Sequence, residues 1–116
     1  IAKERKTLED IAAVMEPDFR MVYFSAPMGD ISNGELTNNA FDKGRAIEKI
    51  CEHLGVDIKD TVGFGDSMND REMIQTVGTS VCMGNGSDSL KEMADMVCPD
   101  IDDDGLYEGF RMAGLI

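Results

Sequence analysis

Apolar and polar residues follow two different patterns along the chain, and the change lies near residue 39. Before it, apolar positions at helical spacing over residues 1–16 predict an amphipathic helix that ends at Pro17. The β-branched and aromatic run from Arg20 to Ser25 predicts a strand. A turn-rich stretch follows, and then a short strand is predicted at Glu35 and Leu36 and a loop from Thr37 to Asp42. This part is typical of a helix with hairpin strands.

Beyond residue 39, strand and helix patterns alternate regularly. Apolar residues on one face (Ala46, Ile47, Ile50, Cys51 and Leu54) predict a helix over residues 45–54 that ends at Gly55. Short strands are predicted at 60–65, 79–83 and 96–98, and helices at 69–77, 87–94 and 106–113. Such alternation indicates βαβ units, so we predict an α/β fold with a Rossmann-like parallel sheet flanked by helices.

The charge of the chain excludes two classes of partner. Among 116 residues, 23 are acidic and 11 are basic, which gives a net charge of −12. This excess repels the phosphate backbone and anionic lipid, so we expect neither nucleic acid nor a membrane as a partner. The sequence holds no run of 18 apolar residues and shows no secretory signal, which predicts no membrane-spanning helix.

The three cysteines, Cys51, Cys82 and Cys98, are too widely spaced for a metal knuckle and too few for a disulfide framework. We therefore predict that they are buried thiols in a reducing compartment, and expect a cytoplasmic location.

The segment Gly63-Phe-Gly-Asp-Ser-Met-Asn-Asp70 places polar side chains directly after a predicted strand. In an open parallel sheet, ligands bind at this end of the strands. Asp66 is a suitable hard oxygen ligand for Mg²⁺, Asn69 is placed to cap the following helix, and Asp70 lies in its first turn. In the plainer interpretation these residues only cap a strand–turn–helix junction. A dinucleotide fingerprint is disfavoured, because Met68 stands where its third glycine belongs.

A second candidate is Lys43, which directly precedes the predicted helix over residues 45–54. The helix macrodipole disfavours a cation at this end, so a phosphate or a carboxylate cluster would explain it. The alternative is a solvated surface lysine. A loop from Met83 to Ser87 follows the next strand, and it is either part of the site floor or a simple turn.

Together these segments resemble the C-terminal half of a haloacid dehalogenase (HAD) superfamily phosphatase, of the Cof-type, subclass IIB sugar-phosphate phosphatases. The resemblance covers about residues 35–115 and is strongest in the Lys-Gly and Gly-Asp-x-x-Asn-Asp pair. The matching segments are Glu35-Leu36, Phe41-Asp42-Lys43-Gly44-Arg45-Ala46-Ile47, Leu54-Gly55-Val56, Gly65-Asp66-Ser67-Met68-Asn69-Asp70-Arg71-Glu72-Met73, Met83-Gly84-Asn85 and Asp103-Asp104-Gly105.

The resemblance implies an Mg²⁺-dependent phosphatase that acts on a small phosphorylated substrate through an aspartyl-phosphate. It implies that residues 1–39 are the C-terminal end of a cap domain and residues 40–116 the C-terminal half of the hydrolase core. Lys43 would offset charge on the phosphoryl group and bind phosphate, and Asp66 would ligate Mg²⁺. Asn69 would contact the phosphate, and Asp70 would orient Lys43 as part of the catalytic set. A metal and a lysine are the usual means of stabilising phosphoryl transfer.

The family's nucleophile motif, Asp-x-Asp-Gly-Thr/Ser, does not occur in the 116 residues. The acidic run from Asp100 to Gly105 follows a proline and is interpreted as a turn. We therefore expect a C-terminal fragment that is inactive alone, and that self-associates through an exposed sheet edge.

Two further hypotheses stay open. A non-catalytic α/β module would use the same acidic site to bind a cation or a phosphorylated ligand. A receiver-like domain is disfavoured by the order of Lys43 before Asp66.

Overall fold

The computed structural model describes residues 5–15, 17–23 and 34–116, and the chain forms two compact units, Ile1–Phe41 and Asp42–Ile116. Three of the sequence-based expectations fall outside the described residues. They are the start of the first helix at residues 1–4, the end of the first strand at residues 24–25, and most of the turn-rich stretch at residues 26–33.

In its described residues, the first unit contains a helix and an antiparallel pair of strands, as predicted. These elements are α1 (Arg5–Met15), β1 (Phe19–Tyr23) and β2 (Gly34–Asn38). In the register of the pair, Phe19 lies opposite Asn38 and Met21 lies opposite Leu36. The prediction of a loop from Thr37 was therefore wrong at its start. Pairing with β1 keeps the backbone extended to Asn38, although asparagine is depleted in strands.

The second unit is built on a parallel sheet, which confirms the predicted α/β class. Its strands are β3 (Val62–Gly65), β4 (Thr79–Cys82) and β5 (Met96–Val97), side by side in that order. Its helices are α2 (Lys43–Leu54), α3 (Arg71–Thr76), α4 (Asp88–Lys91) and α5 (Gly105–Met112). Val62 pairs with Thr79, so the ends of β3 and β4 lie at the same edge of the sheet.

Helices cover both faces of this sheet because side chains alternate along β4. Cys82 packs with Ile74 of α3 and Leu90 of α4 on one face. Val81 packs on the other face with Met83 and Cys98, and there the rings of Phe64 and Phe110 stack with centroids 4.9 Å apart. All three cysteines are buried and free, as predicted.

The predicted helix over residues 69–77 begins only at Arg71, because Met68–Asp70 forms a 3₁₀ turn. Asp70, and not Asn69, is the residue that precedes the helix, so the capping role predicted for Asn69 was wrong. The amide of Asp70 donates to the carbonyl of Ser67 at 2.9 Å, and this tighter turn uses the residues that would otherwise begin the helix.

Among the described residues of the second unit, part of the apolar face of α2 is exposed, and the outer edges of both β3 and β5 are unpaired. Cys51 of α2 is buried, but Ile50 and Leu54 on the predicted apolar face are 57% and 66% exposed. β3 pairs with β4 along one edge only. No helix in the described ranges is long and apolar enough to cross a membrane.

Candidate functional site

The candidate site lies where β3 ends, and Asp70 is its central residue. The 3₁₀ turn Met68–Asp70 returns the chain toward the end of β3, and the backbone amide of Asp66 donates to Asp70 Oδ2 at 3.1 Å. This approach requires a glycine at position 65, since a Cβ there would lie 2.7 Å from the Cβ of Asp70. The strand end and the turn therefore hold the Asp70 carboxylate against the backbone of β3.

Lys43, the first residue of α2, forms an ion pair and hydrogen bond from its Nζ to Asp70 Oδ1. The Asp70 side chain is 12% exposed and that of Lys43 is 55% exposed. The carboxylate offsets the unfavourable position of a cation at the N-terminus of α2. That end of α2 is also capped by Asp42, whose Oδ1 accepts from the amide of Arg45 at 2.8 Å. The structure thus brings Lys43 and Asp70 together, although 26 residues separate them in the chain.

Asp66 is exposed and lines a pocket of about 190 Å³. Asn69 is half-buried in the turn between Asp66 and Asp70. Acidic and apolar residues share the pocket wall, which is formed by Phe64, Gly65, Asp66, Asp70, Met83, Ile101 and Leu106.

The two carboxylates of the site have different availability for a metal ion. Both oxygens of Asp70 already accept hydrogen bonds from within the chain, from Lys43 and from the amide of Asp66. The described part of the chain contains no cluster of three carboxylate, histidine or cysteine side chains around a metal position. Mg²⁺ nevertheless needs only one or two protein carboxylates, because waters and substrate oxygens complete its octahedron. The exposed carboxylate of Asp66 fits that requirement.

The loop from Met83 to Ser87, after β4, contributes to the pocket. From the sequence it could have been either part of the site floor or a simple turn. The amide of Ser87 donates to the carbonyl of Asp66 at 2.9 Å, and Met83 lines the pocket. Asn85 Oδ1 accepts from the amide of Ile101 at 3.1 Å, so the loop also holds another residue of the pocket wall. The sequence signals for this loop were its position after a predicted strand and the match of Met83-Gly84-Asn85 to the family.

Sequence reasoning did not identify the apolar wall formed by Phe64, Ile101 and Leu106. The acidic run that contains Ile101 does form the predicted turn, a 3₁₀ segment at Ile101–Asp103 followed by Asp104 with φ 54°. Its apolar residue joins the site only through the fold, because nothing in the run itself indicates which direction that side chain takes.

The electrostatic surroundings of the site disfavour one alternative nucleophile, Cys82. Burial raises the pKa of the Cys82 thiol, and although Lys91 acts in the opposite direction, Asp66 and Asp70 raise the pKa further. A thiol attacks as the thiolate, so this buried cysteine is kept in its unreactive neutral form.

Comparison with known proteins gives a consistent result. The family model described as haloacid dehalogenase-like hydrolase matches residues 1–110. The protein named "Putative phosphatase YkrA" of Bacillus subtilis (strain 168) is 38% identical over 108 residues, which cover 93% of this chain and 40% of that protein.

Solved structures share the fold of this chain. A hypothetical protein from Geobacillus kaustophilus HTA426 is 34% identical with a TM-score of 0.81, over 97% of this chain and 42% of that chain. The HAD subclass IIB sugar phosphatase BT4131 shares the fold at 24% identity, with a TM-score of 0.80 over 97% of this chain and 42% of that chain. The chain thus spans about two-fifths of the length of these relatives. The resemblance found in the sequence is confirmed, and the chain belongs to the haloacid dehalogenase-like hydrolase family.

Proposed function

We propose that this chain supplies Lys43, Asp66, Asn69 and Asp70 to the active site of an Mg²⁺-dependent phosphatase. The reaction is the hydrolysis of a small phosphomonoester, with sugar phosphates as the substrate class, through an aspartyl-phosphate. The observation that supports it best is the Asp70 carboxylate, which holds the Lys43 ammonium with one oxygen and the amide of Asp66 with the other.

Lys43 serves the phosphoryl group in this proposal. Phosphoryl transfer places negative charge on the non-bridging oxygens, and a fixed cation stabilises that charge. Asp70 restricts the position of the ammonium, while the side chain of Lys43 stays 55% exposed and therefore within reach of a ligand. Asp70 is thus a positioning residue that acts through Lys43.

Asp66 holds the metal ion in this proposal, and Asn69 binds the phosphate beside it. The hydrogen bonds support the choice of Asp66, since both oxygens of Asp70 already accept from donors and Asp66 is exposed in the pocket. When bound, Mg²⁺ supplies positive charge that polarises the phosphoryl oxygens.

The nucleophilic aspartate is assigned to a part of the enzyme outside these 116 residues, because they contain no Asp-x-Asp-Gly-Thr/Ser motif. Residues 1–39 would be the end of the cap domain and residues 40–116 half of the hydrolase core. The chain by itself should then give no turnover. The three free thiols of Cys51, Cys82 and Cys98 support a reducing, cytoplasmic location for it.

The isolated chain should self-associate through β3. Its unpaired edge offers backbone donors and acceptors to a second copy, and the exposed Ile50 and Leu54 of α2 add apolar surface. Sedimentation velocity across a range of concentrations tests this. A single monomeric species throughout that range would contradict it.

The functional test combines binding with turnover. Calorimetric titration should show Mg²⁺ binding that Asp66→Asn abolishes, and phosphate binding that Lys43→Met weakens. Lys49→Met is the matched control, since this exposed lysine of the same helix pairs only with its neighbour Glu52 in the described contacts. Hydrolysis of p-nitrophenyl phosphate by the chain alone, abolished by Asp66→Ala, would refute the assignment of the nucleophile to another part.

A second candidate function is a non-catalytic module that binds a cation or a phosphorylated ligand. Two observations favour this candidate: Lys43 and Asp70 form an ion pair, and the 116 residues contain no nucleophile motif. Binding without turnover in the full-length gene product would select this candidate over the phosphatase.

A further inference from the structure

Helices α2 and α3 pack against each other at Gly44 without room for a side chain there. A Cβ on Gly44 would lie 2.7 Å from the backbone carbonyl oxygen of Glu72, and it would also overlap the hydroxyl of Thr76. That hydroxyl donates to the same carbonyl at 2.6 Å. Gly44 is buried, and glycine within a helix costs about 0.5–1 kcal/mol relative to alanine. The close packing of the two helices gives a physical reason for accepting that cost.

The same contact controls where Lys43 and Asp70 stand relative to each other. Lys43 directly precedes Gly44 in α2, and Asp70 directly precedes α3, the helix that carries Glu72. Lysine has a long, flexible side chain, so many of its rotamers point into solvent. The ammonium reaches Asp70 in few of them, and their number depends on the separation of the two backbones.

We propose that Gly44 is a positioning residue for Lys43, which lets α2 approach α3 closely enough for the Lys43 ammonium to reach the Asp70 carboxylate. An alanine would push the Glu72 carbonyl away by a few tenths of an ångström, since real Cβ atoms essentially never approach closer than 3.0 Å. Because that carbonyl belongs to the backbone of α3, the two helices have to move apart. The proposal deepens the function proposed above, since it matters for catalysis only if Lys43 serves the phosphate.

The test measures the ammonium of Lys43 directly in the 116-residue chain. Lysine-selective ¹⁵N NMR detects Nζ–H groups whose hydrogen exchange is slowed by an ion pair, and Lys43→Met identifies the signal. Asp70→Asn gives the reference for a lost pair. Gly44→Ala should accelerate the hydrogen exchange of the Lys43 ammonium about fivefold, toward the rate in Asp70→Asn. A fivefold change corresponds to an interaction free energy of about 1 kcal/mol.

Gly55→Ala is the matched control, because it makes the same substitution at the other end of α2. Gly55 has φ +68° and no atom within 4 Å of its Cβ position, so alanine there strains the backbone without pushing on a neighbour. This variant should lose stability but keep the slow exchange of Lys43. Thr76→Ala, which opens space instead of filling it, should keep it as well.

A second variant covers the case in which Gly44→Ala does not fold. Gly44→Ala with Thr76→Ala removes the hydroxyl but leaves the Glu72 carbonyl, so the Lys43 exchange should still be faster than in Thr76→Ala alone. Unchanged exchange in both Gly44 variants overturns the proposal. Failure of both to fold, when Gly55→Ala folds, also overturns it, because the contact would then serve stability and not positioning.

Inorganic phosphate separates this inference from the proposed function. A shift of the Lys43 signal on adding phosphate to the wild-type chain supports the phosphate role of Lys43, and no shift contradicts that role. The exchange rates of the variants are measured without phosphate. The positioning by Gly44 and the phosphate role of Lys43 can therefore fail independently.

Discussion

Asp70→Asn removes the charge at the centre of the site and one of its two hydrogen-bond acceptors, while the side chain keeps its shape. The amide has nearly the same shape, and its oxygen still accepts one hydrogen bond, either from Lys43 or from the backbone amide of Asp66. The variant therefore measures what the ion pair and one of the two hydrogen bonds together contribute to the stability of the second unit.

The expected magnitude follows from the exposure of the two partners. Exposed ion pairs contribute about 0–1 kcal/mol, and breaking a fully buried pair costs about 3–5 kcal/mol. Here the carboxylate is 12% exposed and the ammonium 55% exposed, so Lys43 regains part of its hydration when the pair is broken. We expect a loss of about 1–2 kcal/mol for Asp70→Asn. Asp70→Ala should cost more, since it also removes the acceptor of the Asp66 amide.

The assay is urea denaturation followed by the amide NMR signals of Val81 and Leu90, which are fully buried in the second unit. With a slope of about 1 kcal/mol per molar urea, the expected loss moves the midpoint by about 1–2 M. Glu52→Gln is the matched control. Its partner Lys49 lies at 3.0 Å, but the two side chains are 80% and 73% exposed, so this change should cost less than about 0.5 kcal/mol.

The two pairs should also differ in their response to salt. At 1 M NaCl the small effect of Glu52→Gln should vanish, while most of the effect of Asp70→Asn persists, because the low exposure of Asp70 limits screening. If the two variants shift the midpoint equally, or if salt removes both effects, the Lys43–Asp70 pair is an ordinary surface pair and the reasoning fails.

Three further predictions concern packing, pH and the turn. Leu90→Ala should cost about 2–5 kcal/mol in the same urea assay, since Leu90 is fully buried, and a loss below 1 kcal/mol would contradict the described core. Hydrogen bonds from the amide and hydroxyl of Ser80 lower the pKa of Asp95 below its ordinary value of 3.8. The ionised carboxylate of Asp95 therefore stabilises the fold above pH 4, and this contribution is lost as the pH falls through the lowered pKa. The stability difference between wild type and Asp95→Asn should therefore disappear in acid, and a difference that grows in acid would refute the assignment. Gly65→Ala should displace the Asp70 carboxylate, which accepts a hydrogen bond from the backbone amide of Asp66. The hydrogen exchange of the Asp66 amide should then be faster than in the wild type. An unchanged exchange rate would contradict this prediction.

Much of the fold was predictable because local periodicity is a property of neighbouring residues. The alternation of strands and helices after residue 39 indicated a parallel α/β sheet, and the structure confirms it with β3, β4 and β5. The helical pattern of α2 was also recognised, but the exposure of Ile50 and Leu54 was not predictable from it. An apolar stripe shows which face prefers burial, whereas the presence of a covering element depends on the rest of the molecule.

The corrections have a similar origin. β2 continues to Asn38 because β1 lies beside it, and the helix after Asn69 starts late because a 3₁₀ turn returns Asp70 to β3. Cross-strand pairing acts between residues far apart in the chain, and the turn at Asp70 depends on a side-chain contact with the backbone four residues earlier. Propensity does not record such interactions.

The sequence alone determined which chemistry is available: a lysine at a helix start, and two carboxylates and an amide after a strand, in the order found in HAD phosphatases. Only the tertiary structure decided how these groups are arranged relative to one another. It pairs Lys43 with Asp70, leaves Asp66 exposed in the pocket, and places Gly44 where α2 meets α3. The physical reason is that charge pairing and steric exclusion depend on distances of a few ångströms between separate elements, and those distances exist only after the chain has packed.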